Sequence, residues 1–247
     1  MSRIISIAID KGGSGKTTTA VEVATGLTLH RKKKTLLVGL DPQADAEKHL
    51  GLKPRLLTKT INTLFTEIGT NVRDLIITTS FGLDVLPANK SLDDTDRSMR
   101  ATQVGLLKPI LAQLSDYDYI IIDTRRAGSY LTINALVAAT DVLIPLQAEY
   151  LAFEGLVDTM QDIQNVKKGL NPSLNIIGIL PTMVRARTNL AKAILEELGE
   201  DYADLVLPIQ INDSVRFAEA SYAGKPTQLF APDAARDYLR LVEMIDA

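Results

Sequence analysis

Lys11-Gly12-Gly13-Ser14-Gly15-Lys16-Thr17-Thr18 is the stretch that decides the fold of this chain. The apolar run Ile4-Ile5-Ser6-Ile7-Ala8-Ile9 precedes it, and the helix-compatible Thr19-Ala20-Val21-Glu22-Val23-Ala24 follows. The three segments therefore predict a strand, a glycine-rich loop and a helix start. Phosphate binding requires that context. Glycines let the backbone turn inward so that successive N–H groups converge on phosphate oxygens, and the positive end of the helix dipole adds to them. Lys16 is placed to reach the β- and γ-phosphates, and Thr17 to offer its hydroxyl to Mg²⁺. The generic phosphate loop has glycine where Asp10 stands, and a second lysine, Lys11, follows it. Two lysines answer more anionic charge than Lys16 alone, and Lys11, nearer the loop's opening, could point away from its own site.

The 247 residues suffice to bury one sizeable core, and no boundary is needed, so residues 1–247 read as a single domain. Apolar content of 46% with 23% charged is ordinary for a soluble globular protein, and no run approaches a membrane span. With no secretory leader, cytoplasm is the expected compartment. The absence of cysteine excludes disulfides and thiolate metal sites, and His30 and His49 are too few for a histidine zinc centre. A net charge of −3 argues against general basicity but leaves room for a local cationic face.

Working outward, Ala20, Val23, Ala24 and Leu27 predict a first helix to about His30, and Arg31 to Lys34 read as a solvated charge run at its end. Thr35 to Leu40 is a second strand ending in Asp41-Pro42-Gln43, which puts Asp41 at the carboxyl edge, where it can orient a water on the γ-phosphate. A short helix is expected near Thr60 to Glu67 and a strand at Leu83 to Leu86. Asp93, Asp94 and Asp96 read as a solvated helix start. Leu106, Ile110, Leu111 and Leu114 mark a helix before Tyr117 to Asp123, an apolar strand that ends in an acid, the Walker B pattern. Asp123 is then a second contact for Mg²⁺ or its waters. Further segments read as a helix over Leu131 to Ala139, a strand over Val142 to Gln147, a helix from Glu154 to about Lys168, a strand over Asn175 to Leu180, and a final amphipathic helix over Tyr238 to Ile245. This alternation predicts an α/β fold, a doubly wound and mostly parallel sheet with helices on both faces, of the phosphate-loop NTPase type.

The loop with its two lysines, Asp41-Pro42-Gln43, Asp123-Thr124, Pro145-Leu146-Gln147, Thr182-Met183, Arg187-Thr188-Asn189-Leu190 and Gly224-Lys225-Pro226 together resemble the ParA/MinD family of partition and positioning ATPases, in its ParA/Soj-like branch. The resemblance spans nearly the whole chain. It implies an ATP hydrolase using Mg-ATP, held by Lys11, Gly12, Gly13, Ser14, Gly15, Lys16, Thr17 and Thr18, with Met183 and Asp213 near the adenine. Lys11, Lys16 and Asp41 are the implied catalytic groups, Thr17 and Asp123 the metal ligands. Lys11 is expected to reach the nucleotide of the other subunit in an ATP-bound homodimer. Arg185, Arg187, Lys192 and Arg216 lie in segments that resemble the family's DNA-facing surface. The implied partners are non-specific DNA and a ParB-like or cargo-adaptor protein that stimulates hydrolysis, with a cytoplasmic, nucleoid-associated location and no membrane contact. The chain departs from the family at Gly39, where many relatives are acidic, at Asp45, at Arg125-Arg126, where prolines are common, and at Asn212. Arg125 and Arg126 either stabilise phosphate charge or pair across a dimer, or are exposed replacements for a rigid turn. A membrane-surface ATPase of the MinD kind and a metabolic enzyme using the same loop are the alternative functions.

Overall fold

The computed structural model describes residues 2–126, 128–149, 152–185 and 188–247. Its seven strands, β1 (Arg3–Ile7), β2 (Thr35–Leu40), β3 (Ile77–Thr78), β4 (Asp84–Leu86), β5 (Tyr119–Thr124), β6 (Asp141–Gln147) and β7 (Asn175–Thr182), form one sheet in the order β3-β4-β2-β5-β1-β6-β7. Every pairing is parallel except β3 with β4, an antiparallel edge. The helices are α1 (Lys16–Leu29), α2 (Asp45–His49), α3 (Ile61–Thr66), α4 (Leu92–Ser98), α5 (Leu107–Ala112), α6 (Tyr130–Ala138), α7 (Ala152–Gly169), α8 (Asn189–Asp201), α9 (Val215–Tyr222), α10 (Thr227–Phe230) and α11 (Arg236–Ile245). The mostly parallel doubly wound sheet expected from the sequence is the observed one.

Strands β2 and β5 are buried along their whole length, as a parallel sheet covered on both sides requires, and this is why they read as continuous apolar runs. The alternation of side chains still sorts them. Leu37, Tyr119 and Ile121 face one core with Val23, Leu27 of α1 and Leu241, Val242 of α11, whereas Leu36, Val38, Ile120 and Ile122 face another with Leu107 and Leu111 of α5. A third core packs Ile144 and Ile179 against Leu156 and Ile163 of α7. Register carries the parity to the ends of the strands: Asp123 pairs with Ile7 on one side and Gly39 on the other. The phosphate loop, Asp41 and Asp123 thus leave adjacent central strands at one edge of the sheet.

The final helix buries Tyr238, Leu241, Val242 and Ile245, so its apolar stripe is core, as expected. The charge run after α1 is solvated as expected, with Arg31, Lys32 and Lys34 exposed, but it also makes specific ion pairs, as does the acidic start of α4. Arg31 and Lys33 reach Asp246 at 2.6 and 3.0 Å and Lys34 pairs with Asp116, which ties the end of α1 to the end of α11 and to the turn before β5. Asp93 and Asp96 lie 3.2 and 2.6 Å from Arg125, and Asp96 also accepts the Leu131 N–H. These acids face the loop after β5 because α4 lies across it.

Candidate active site

The glycine loop has the backbone that its sequence implies. Gly13 and Gly15 have φ of 77° and 83°, a region that side chains with a Cβ rarely enter. Ser14 is buried; its hydroxyl donates to the Lys11 carbonyl at 3.1 Å, and its own carbonyl accepts from the Thr182 hydroxyl at 2.9 Å. The backbone at Asp10 is closely packed. Its N–H donates to Thr159 Oγ1 at 2.8 Å, and a Cβ on Gly155 would lie 2.7 Å from the Asp10 carbonyl, so α7 seats directly on this end of the loop.

Lys16 turns inward. Its ammonium donates to the carbonyls of Lys11 at 2.8 Å and Ile9 at 3.2 Å, spanning the loop from within. Burial holds its pKa below the ordinary lysine value, while Asp123 and Asp41 pull it back up. Lys11 behaves differently. Its ammonium lies 3.7 Å from Glu149, just past β6, and although shielded from solvent it donates no hydrogen bond among the described residues.

Asp123 is 1% exposed, and its Oδ1 has no hydrogen-bond partner among the described residues. Burial first, and the Asp41 charge second, push its carboxyl well above the ordinary aspartate value, with the Thr17 hydroxyl acting in the opposite direction. A dry carboxylate with an orphaned oxygen beside a threonine hydroxyl fits a hard cation, so Thr17 and Asp123 are the residues that would hold Mg²⁺. Bound there with the phosphates, Mg²⁺ supplies charge neutralisation. Asp41 keeps its Oδ1 on the Gln43 N–H at 2.9 Å, which fixes the turn after β2.

Beside the loop is a cavity of about 440 Å³ lined by Gly15, Thr18, Met183, Asn212, Asp213 and Phe217 among others. It collects four residues assigned to the nucleotide from sequence, Gly15, Thr18, Met183 and Asp213, and it is apolar enough for a base to stack. Met183 has a left-handed φ of 51°, uncommon for a residue with a Cβ, where the chain leaves β7. Asn212 lines the same wall, so an amide stands where a proline was expected.

Arg125 is committed to Asp93 and Asp96, which makes it a tie between the β5 loop and α4. Arg126 is exposed, and its guanidinium lies 3.7–4.0 Å from the position of a Cβ on Gly12, so it overlies the phosphate loop. Arg125 thus follows neither expected alternative, being paired within the chain, whereas Arg126 is exposed beside the loop. Arg185 pairs with Asp213 at 2.9 Å, and Arg216 with Glu219 at 2.8 Å. Arg187 lies outside the described residues, as does the Lys192 side chain. Sequence reasoning missed Glu47, which is fully buried beneath the Asp41 turn with its carboxyl pushed up to about 7 by burial.

A family model described as an AAA domain matches residues 2–176. The chain is 37% identical to the sporulation initiation inhibitor protein Soj of Bacillus subtilis over 252 residues, which cover 100% of this chain and 99% of that protein. It is 39% identical to the chromosome partitioning protein ParA of Myxococcus xanthus, covering 93% of this chain and 82% of that one. Among solved structures it is similar to the cobyrinic acid a,c-diamide synthase of Mycobacterium smegmatis with bound ATP analog and magnesium, with a TM-score of 0.84 at 31% identity, covering 98% and 93% of the two chains. With the two-lysine loop, Asp41 and Asp123 at one sheet edge, these similarities make the chain a member of the ParA/MinD family of partition and positioning ATPases, an ATP hydrolase that works on Mg-ATP.

Proposed function

We propose that this partition ATPase dimerises around ATP, binds DNA without sequence preference in that state, and is released when hydrolysis breaks the dimer, with a ParB-like or cargo-adaptor protein stimulating the step. The nucleoid is then its working surface, and plasmid, chromosome or protein cargo its load. The observation that supports this reading best is the state of Lys11. Among the described residues this ammonium, shielded from water, has only Glu149 at 3.7 Å and is poorly satisfied, and the phosphates of a second subunit's nucleotide offer it charge-assisted hydrogen bonds. The test is mass in solution by light scattering. The wild type is expected to be a dimer with a non-hydrolysed ATP analogue and a monomer with ADP. Lys11→Ala is expected to bind the analogue and stay monomeric, and an unchanged dimer in that variant would rule out the cross-subunit role.

DNA contact follows from local cations, not from net charge. Arg185 and Arg216 would have to exchange Asp213 and Glu219 for phosphates, but both pairs are exposed and contribute at most about 1 kcal/mol, so the exchange is cheap. A dimer doubles the array on one face, which lets ATP control affinity through assembly. With roughly four phosphates neutralised, retention on DNA is expected to fall about a hundredfold between about 50 and 200 mM salt. Arg216→Ala should lower both retention and that slope in a protein that still dimerises; retention that ignores salt would remove the DNA surface from the proposal. The 31% identity to a protein described as a diamide synthase favours a second reading, amide formation on a small acid. A dimer that needs ATP and is insensitive to small carboxylic acids separates the two.

A further inference from the structure

Glu47, the third residue of α2, is fully buried beside the magnesium site yet has no part in the chemistry assigned so far. Its Oε1 accepts from the Ala88 N–H, and its Oε2 has no partner among the described residues. The residue it displaces is visible on β2. Gly39 does not have a left-handed φ, so its backbone does not call for glycine, and a glycine inside a strand weakens it. A Cβ on Gly39 would lie 2.0 Å from Glu47 Oε1 and 3.0 Å from its Cδ. Gly39 therefore leaves its side-chain volume to the Glu47 carboxyl.

That volume is next to Asp123. The two positions are register partners on adjacent parallel strands, so their side chains leave the same face, with strand axes about 5 Å apart. The same face carries Leu37, Ile121 and the helix that follows the phosphate loop. Two carboxyls thus converge on it, one from β5 and one delivered from α2, each with an oxygen that nothing in the described chain satisfies. A single dication with its waters answers both.

We infer that Glu47 is an outer carboxylate of the magnesium site, taking through Oε2 a hydrogen bond from a water of the ion that Thr17 and Asp123 hold. It supplies from the helix the charge that a side chain at position 39 would supply from the strand. Because α2 follows Asp41-Pro42-Gln43 after the single left-handed residue Ala44, at φ 51°, the same contact lets the metal hold the Asp41 turn in place. The inference rests on Mg-ATP binding alone and holds whether or not the protein dimerises or contacts DNA.

The test titrates Mg²⁺ against a fluorescent, non-hydrolysed ATP analogue. Glu47→Gln keeps an oxygen for the Ala88 N–H and is expected to raise the Mg²⁺ midpoint about tenfold or more, the usual cost of removing an outer-shell group. Affinity for the analogue in EDTA should be unchanged. Gly39→Asp/Glu47→Ala returns a carboxylate from the strand side and should recover most of the midpoint, whereas Gly39→Asn/Glu47→Ala should not. A wild-type Mg²⁺ midpoint in Glu47→Gln would overturn the inference and leave Glu47 as a structural partner of Ala88. An equal loss of affinity in EDTA would overturn it too, by assigning the effect to packing.

Discussion

Lys16→Ala is expected to lose at least about thirtyfold in affinity for ATP, because truncating one member of a buried, hydrogen-bonded charge pair costs about 2–5 kcal/mol. The loop leaves no substitute at that point. Lys16 is the cation that spans the loop from within, with its ammonium on the carbonyls of Ile9 and Lys11, and Lys11 itself is turned toward Glu149. The ligand-free fold should not suffer. Burial lowers the Lys16 pKa in the folded state below its unfolded value, so the unfolded chain binds the proton more readily and the ammonium opposes folding at neutral pH. Thermal melts check both halves. Wild-type protein at a hundred times its Kd should gain about 5–10 °C, whereas the variant should melt no lower than the wild type without ligand and gain nothing with it. Wild-type affinity in the variant would contradict the assignment of the loop.

Asp41→Ala should separate binding from turnover. Asp41 stands at the carboxyl end of β2, held through Oδ1 by the Gln43 N–H, and its charge is felt by both Lys16 and Asp123. Nothing in the loop depends on it for shape, and removing it relieves one of the charges that burden Asp123, so Mg-ATP binding should persist. Loss of a group that orients the attacking water should slow the chemical step by about 10²–10⁴-fold. Phosphate release in a single turnover, at saturating Mg-ATP, measures that step without product exchange. Hydrolysis at the wild-type rate would show that another residue positions the water.

Much of this site was legible because its determinants are local. The apolar run before Gly12, the glycines at Gly13 and Gly15 and the acid closing Tyr119 to Thr124 each specify their own backbone, and parallel strands fully covered on both faces read as uninterrupted apolar runs. What escaped depends on segments far apart in sequence. Arg125 meets Asp93 and Asp96 only because α4 crosses the β5 loop, and Lys11 meets Glu149 only because β6 lies beside β1. β3 is a two-residue strand with no periodicity to detect. Glu47 left one trace. Gly39 sits in the otherwise apolar run Thr35 to Leu40, and a lone glycine in such a strand signals the close approach of another group, here a carboxyl eight positions later.

The central position of β1 has a consequence for how the protein is made. β1 and the phosphate loop leave the ribosome well before β5 and β6, yet those two strands are the neighbours of β1, with Ile5 set against Ile121 and Asp141. At synthesis rates of about 5–20 residues per second, the strand waits on the order of ten seconds for its first partner. During that interval an apolar strand with both edges open is exposed to chaperones and to other nascent chains. Nucleotide cannot assist at that stage, since Asp123 and the wall formed by Met183 and Asp213 do not yet exist. A nascent chain halted before β5 should therefore be protease-sensitive and indifferent to ATP, and the phosphate loop is made long before it becomes competent.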